Sequence, residues 1–173
     1  MVRSGERPDP ADVLATTDGG VALCVLVADC LPLALVDPIA GVLVLAHAGW
    51  RGTTAQVARV AVDAAVGLGA EASRCHALLG PCISKDRYQV GDDVAEAFDA
   101  AGCSSALQPD GTGRYLADLR RANLDQLTTA GLAPASVVSM DQSTDGGSVF
   151  FSDRAARPCG RFALSARLVL VAS

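Results

Sequence analysis

The apolar positions of this chain fall into short unbroken runs and longer runs spaced by three and four. VALCVLVAD (21–29) is almost continuously apolar, which predicts a buried strand. After a turn at Asp29–Pro32, LALVD (33–37) predicts a second strand, and beyond the PIAG turn at 38–41, GVLVLAH (41–47) predicts a third. Their short connections favour neighbouring, at least partly antiparallel strands. TAQVARVAVDAAVGLG (54–69) has helical spacing, with Thr53 or Thr54 to cap it and Gly67 or Gly69 to end it. GDDVAEAFDAA (91–101) and LADLRRANLDQLTTA (116–130) predict two more amphipathic helices. CHALLG (75–80), SVVSM (136–140), VFF (149–151) and RFALSARLVLV (161–171) predict further strands. Comparable helix and strand with hairpin-like connections indicates an α+β or mixed α/β fold in layers, one domain over residues 1–173.

Composition narrows the partners. Half of the 173 residues are hydrophobic, but no apolar run reaches the length of a membrane span. The opening MVRSGERPDP has charge and proline where a secretory signal has an apolar stretch, so a cytoplasmic location is expected. A net charge of −5 argues against a nucleic-acid polymer or an anionic membrane, and leaves room for a small phosphate or nucleoside in a locally positive pocket. Six cysteines without a CxxC pair do not form a disulfide scaffold in a chain of this size. Those on apolar faces, such as Cys24, are expected to be small core residues.

The chemistry concentrates in one region. His47, one of two histidines, ends a predicted strand and leads into AGWRG and a helix start. Cys30 ends VALCVLVAD. If the two strands share a sheet and an end, thiol and imidazole meet; otherwise Cys30 fills the core and His47 bonds to backbone. Asp29 adjoins Cys30 on a turn. Arg51 precedes a helix whose free N–H groups favour an anion. Gly49 and Gly52 let backbone approach a ligand. Trp50, the single tryptophan, either stacks on a base or covers the core.

VADCLPLALVDP (27–38), AHAGWRGT (46–53), LGPCISKDRYQVGDDV (79–94), RYLADLRRANLDQL (114–127) and FFSDR (150–154) resemble, in order, the YfiH-like family. These laccase-domain proteins were formerly called multicopper polyphenol oxidases and are now regarded as purine nucleoside phosphorylases with adenosine deaminase side activity. The resemblance runs from about Ala11 to Val171. It implies a layered sandwich of mixed β-sheets flanked by helices, with purine nucleosides and phosphate as partners. Cys30, His47 and Arg51 are expected to be catalytic, and Asp29, Trp50, Arg51 and Cys82 to contact substrate. The resemblance also implies zinc, held by Cys30 and His47, residue types that suit this metal. Copper does not fit, since two histidines cannot furnish a multicopper centre.

Two departures stand beside the resemblance. The family's third zinc ligand is a histidine in a QVHG-like motif upstream of the matching segment, so this chain is expected to be either truncated at its N-terminus or a divergent member that has lost that ligand. His76 is not expected to replace that ligand. Gln142–Ser143 stands where the family has Cys-Thr, and Arg154–Ala155 follows Asp153 where the family has Arg-Arg. Two alternatives to the nucleoside enzyme stay open: a metal-free Cys30–His47 hydrolase or transferase, and a binding module without activity.

Overall fold

The computed structural model describes residues 1–3, 11–145 and 149–169. The last residues of the strand predicted for 161–171, and most of the opening segment read for a signal, lie outside these. The central sheet contains β1 (Val13–Thr16), β3 (Leu31–Asp37), β4 (Val42–Ala48), β5 (His76–Leu79) and β9 (Val137–Ser139) in the order β1-β4-β3-β5-β9. Its pairs are antiparallel except β5 with β9, which is parallel.

β4 shows how the layers form. Val42, Val44 and Ala46 face a core shared with α2 (Val57–Gly67) and α4 (Leu119–Thr129), while Leu43 and Leu45 face the opposite side. This is the period-two alternation of a strand with apolar layers on both sides. On the second side lies a ribbon of β2 (Ala22–Val27) and β10 (Phe162–Arg167), whose Leu23, Val25 and Leu164 complete the smaller core. Phe98, from α3 (Asp92–Ala100), is fully buried on the helix side. Burying such a side chain contributes about 2–3 kcal/mol. A three-stranded sheet of β6 (Gln89–Gly91), β8 (Arg114–Ala117) and β7 (Leu107–Pro109), in that order, stands beside α3. The whole is a mixed α/β fold of layered sheets flanked by helices.

Several expectations are corrected. β2 leaves the central sheet and pairs with β10, so it does not neighbour β3 within one sheet. It is buried on one face only: Ala22, Cys24 and Leu26 are exposed, so Cys24 is not a core residue. The helix predicted from Thr54 begins at Trp50 instead and is broken between α1 (Trp50–Thr54) and α2, where Gln56 is left-handed with φ 60°. Buried Gln126 stabilises the break, donating from Nε2 to the Thr53 carbonyl at 2.8 Å and accepting from the Ala58 N–H at 3.3 Å. VFF (149–151) forms no strand, and the start of LADLRRANLDQLTTA belongs to β8 rather than to the helix. Among the described residues no helix is long and apolar enough to cross a membrane.

Candidate active site around Cys30 and His47

Cys30 immediately precedes β3 and His47 is the penultimate residue of β4. The antiparallel register sets Pro32 opposite His47 and Leu31 opposite Ala48, so both side chains come to the same end of the sheet. The neighbouring strand that brings Cys30 there is β3, which it immediately precedes, rather than β2, which it follows. Gly49 allows the close approach. A Cβ on it would lie 2.8 Å from the Cys30 sulfur and 3.7 Å from His47 Cε1, so any side chain there would push the thiol away.

The His47 ring is held by Asp12, just ahead of β1. Nδ1 lies 2.9 Å from Asp12 Oδ1, and the His47 backbone N–H donates to the Asp12 carbonyl at 2.8 Å. A carboxylate only accepts, so Nδ1 carries the proton. The hydrogen bond with Cys30 is the largest influence on the ring, and it raises the pKa to about 9. Burial opposes this, and the hydrogen bond and charge of Asp12 reinforce it. His47 is therefore an imidazolium at neutral pH.

Cys30 stands on the wall between two hollows, which share Ala28, Cys30 and Asp153. One, about 330 Å³, continues over Leu26, Val27, His47 and Arg161. The other, about 260 Å³, is lined by Asp29, Trp50, Ile83, Tyr88, Arg154 and Arg157. Burial pushes the Tyr88 hydroxyl up to about 12, so it stays protonated. The Arg154 guanidinium lies 5.3 Å from the Tyr88 ring centre. Asp153 pairs with Arg157 at 2.6 Å and approaches Arg161 at 4.0 Å.

The predicted residues divide among these positions. Cys30, His47, Asp29 and Trp50 line the hollows. Arg51 lines neither; it is exposed, with its guanidinium 4.3 Å over the Trp50 ring. Cys82 is fully buried beneath the site, its thiol pushed up to about 12 by burial, so its sulfur offers no open contact to a substrate. Asp12, Tyr88, Arg157 and Arg161 were not singled out from sequence. Tyr88 lies in a segment with recognisable pattern, but nothing in the local sequence ties it or Asp12 to Cys30, since the contacts arise from strand register and loop packing.

The expected zinc centre is corrected. Among the described residues no group of three or more His, Cys, Asp or Glu could hold a metal ion. Cys30 and His47 are two donors, fewer than the three protein ligands a catalytic zinc site uses. His76 stands opposite Val36, toward the far end of β3 from Cys30, so it cannot complete the set. These residues do not fit a zinc ion, and the metal-binding expectation is withdrawn with it.

The layered fold, with a Cys–His pair at a sheet end and an aromatic hollow of mixed charge beside it, is that of a YfiH-like domain. The family model described as multi-copper polyphenol oxidoreductase laccase matches residues 1–168, and the chain belongs to this family. The crystal structure of the hypothetical protein YfiH from Bacillus licheniformis matches with a TM-score of 0.87 and 29% identity, over 91% of this chain and 61% of that one. A purine nucleoside phosphorylase from Deinococcus radiodurans is 45% identical over 121 residues, 70% of this chain and 47% of its own length. An adenosine deaminase from an unknown prokaryotic organism is 39% identical over 130 residues, 73% of this chain and 50% of its own. The chain thus spans about half the length of these two curated relatives.

Proposed function

We propose that the paired hollows bind a purine nucleoside and inorganic phosphate, and that the domain serves phosphorolysis of the glycosidic bond. The observation that carries this reading is the smaller hollow, which sets two aromatic rings, two arginines and two carboxylates beside the Cys30–His47 pair. Trp50 and Tyr88 supply flat apolar faces for a purine. Arg154 and Arg157 supply planar donors for phosphate, a role expected of Arg51 until its placement outside the hollow. A phosphate oxygen attacks the ribose anomeric carbon while the bond to the purine nitrogen breaks. The electron pair leaves with the base, giving ribose 1-phosphate and a purine that takes up one proton. His47, charged at neutral pH, is suited to supply that proton. Positive charge developing on the ribose ring is stabilised by a nearby carboxylate, a role we assign to Asp153, which lines both hollows.

The test is release of hypoxanthine from inosine, strictly dependent on phosphate, with ammonia release from adenosine followed in parallel. Arg154→Ala is expected to raise the phosphate KM by about tenfold, the weight of one charge-assisted contact. Turnover that ignores phosphate would overturn the phosphorolysis reading.

A second reading is favoured by one observation, the succession Asp12–His47–Cys30, in which a carboxylate orients an imidazole hydrogen-bonded to a thiol. This is the arrangement of a cysteine nucleophile with a partner imidazole and an orienting carboxylate. Mass-spectrometric detection of an acyl or glycosyl adduct on Cys30 under turnover would establish it, and full activity in Cys30→Ala would exclude it.

A further inference from the structure

Asp29 lines the smaller hollow, yet its carboxylate is already committed. Oδ1 accepts from the Thr144 hydroxyl at 2.6 Å, and Oδ2 accepts from the Arg154 backbone N–H at 2.7 Å. Its own carbonyl accepts from the Ile83 N–H at 3.0 Å. Asp29 is buried and has φ 77°, a left-handed conformation uncommon outside glycine but tolerated by Asp and Asn. One residue therefore holds the Ile83 loop, the Thr144 turn and the Arg154 segment together, next to Cys30. From Arg154 on, this segment carries the two guanidinium groups that line the hollow.

We infer that Asp29 is a positioning residue which fixes the Arg154–Arg157 segment over the hollow, and that it does not itself contact the substrate. The inference deepens the proposed function and rests on it for the identity of the ligand. Negative charge is not what the role requires. An Asn at position 29 can turn its amide oxygen to the Arg154 N–H and its amide nitrogen to the Thr144 hydroxyl, which then accepts. A carboxylate acting directly on the ribose or as a base could not be replaced in this way.

The experiment compares Asp29→Asn, Asp29→Gly and Thr144→Val with the unaltered chain. Asn and Gly both suit the left-handed backbone, so neither imposes strain at the turn. The first measurement needs no ligand: acrylamide quenching of Trp50, the only tryptophan, reports how open the hollow is. Quenching is expected to rise in Asp29→Gly, to rise less in Thr144→Val, and to stay at the unaltered level in Asp29→Asn. The second is the phosphate dependence of inosine cleavage, where Asp29→Gly is expected to raise the phosphate KM by about tenfold with a smaller change in kcat, and Asp29→Asn to restore it. Unchanged quenching in Asp29→Gly would overturn the positioning role. So would an Asn variant as impaired as the Gly variant in both measurements. If the unaltered chain cleaves no inosine, the nucleoside reading fails on its own, and the quenching series still decides the role of Asp29.

Discussion

Gly49 and Asp12 set the Cys30–His47 pair from opposite sides. Gly49 lets the thiol descend to where a Cβ would sit, 2.8 Å from sulfur, and Asp12 pins the far nitrogen of the imidazole. Gly49→Ala is expected to displace Cys30 at a cost of about 1–3 kcal/mol in stability, from overpacking, and to abolish the thiol–imidazole hydrogen bond. Denaturant unfolding reads the first effect and an NMR titration of the His47 ring the second. Asp12→Ala is expected to lower the His47 pKa from about 9, because it removes one of the bonds that favour the charged ring. The sign for stability follows: His47 is raised above its ordinary value near 6.5, so its contribution is complete below about 6.5 and is lost as pH rises through about 9. Unfolding measured from neutral to alkaline pH should show a decline in the unaltered chain that is shallower in Asp12→Ala. The sequence made Cys30, His47, Asp29 and Trp50 legible because each stands at a predicted strand end or turn, the first and third in VADCLP and the others in HAGWRG. Asp12, Tyr88 and Arg157 were not, since their places depend on which distant segments pack together.

At the scale of elements, the β3–β4 hairpin is tied to the turn before β5 by one side chain. Asp37, fully buried at the end of β3, accepts from the Ile39 and Ala40 N–H groups at 2.9 and 3.0 Å, the Glu71 N–H at 3.0 Å and Arg74 at 2.9 Å. Burial alone would raise its pKa, but the hydrogen bonds from Ala40, Glu71, Arg74 and Ile39 outweigh it and hold the carboxyl well below the usual range. Asp37→Ala leaves these donors unpaired and is expected to cost about 2–4 kcal/mol, read by urea unfolding at neutral pH. A depressed carboxylate stabilises above its ordinary value near 3.9, and that contribution is lost as pH falls below it. The gap between the unaltered chain and Asp37→Ala should therefore narrow in acid. β3, β4, β5 and the helical faces of α2, α3 and α4 were legible because their apolar periods are long or unbroken. The interruption at Gln56 was not, because it is satisfied from elsewhere in the chain, by the Gln126 side chain and by the Ala101 carbonyl, which accepts from Gln56 Nε2. β6, β7 and β8 were missed because QVG, LQP and RYLA set polar residues, glycine or proline among their apolar positions, whereas the equally short β5 and β9 read as HALL and VVS.

For the whole molecule, the layer order decides which apolar residues are covered. β2 reads as a fully buried strand, but the central sheet covers only one of its faces, and β10 pairs at its edge without covering the other. The six thiols test this arrangement directly. Cys75, Cys82 and Cys103 are buried on the helix side of the central sheet, Cys30 and Cys159 are half-buried, and Cys24 is exposed on the open face of the ribbon. In the native chain an uncharged maleimide, followed by mass spectrometry of peptides, should modify Cys24 first and then Cys30 and Cys159. Cys75, Cys82 and Cys103 should react only on unfolding, because burial both excludes the reagent and, for Cys75 and Cys82, raises the thiol pKa. Cys24→Ser is expected to leave stability within about 0.5 kcal/mol of the unaltered chain, as for an exposed position away from any cap or buried network. A Cys24 as unreactive as Cys75, together with a large loss of stability in Cys24→Ser, would mean that the outer face of β2 is packed, and that the ribbon is an inner layer of the sandwich rather than its surface.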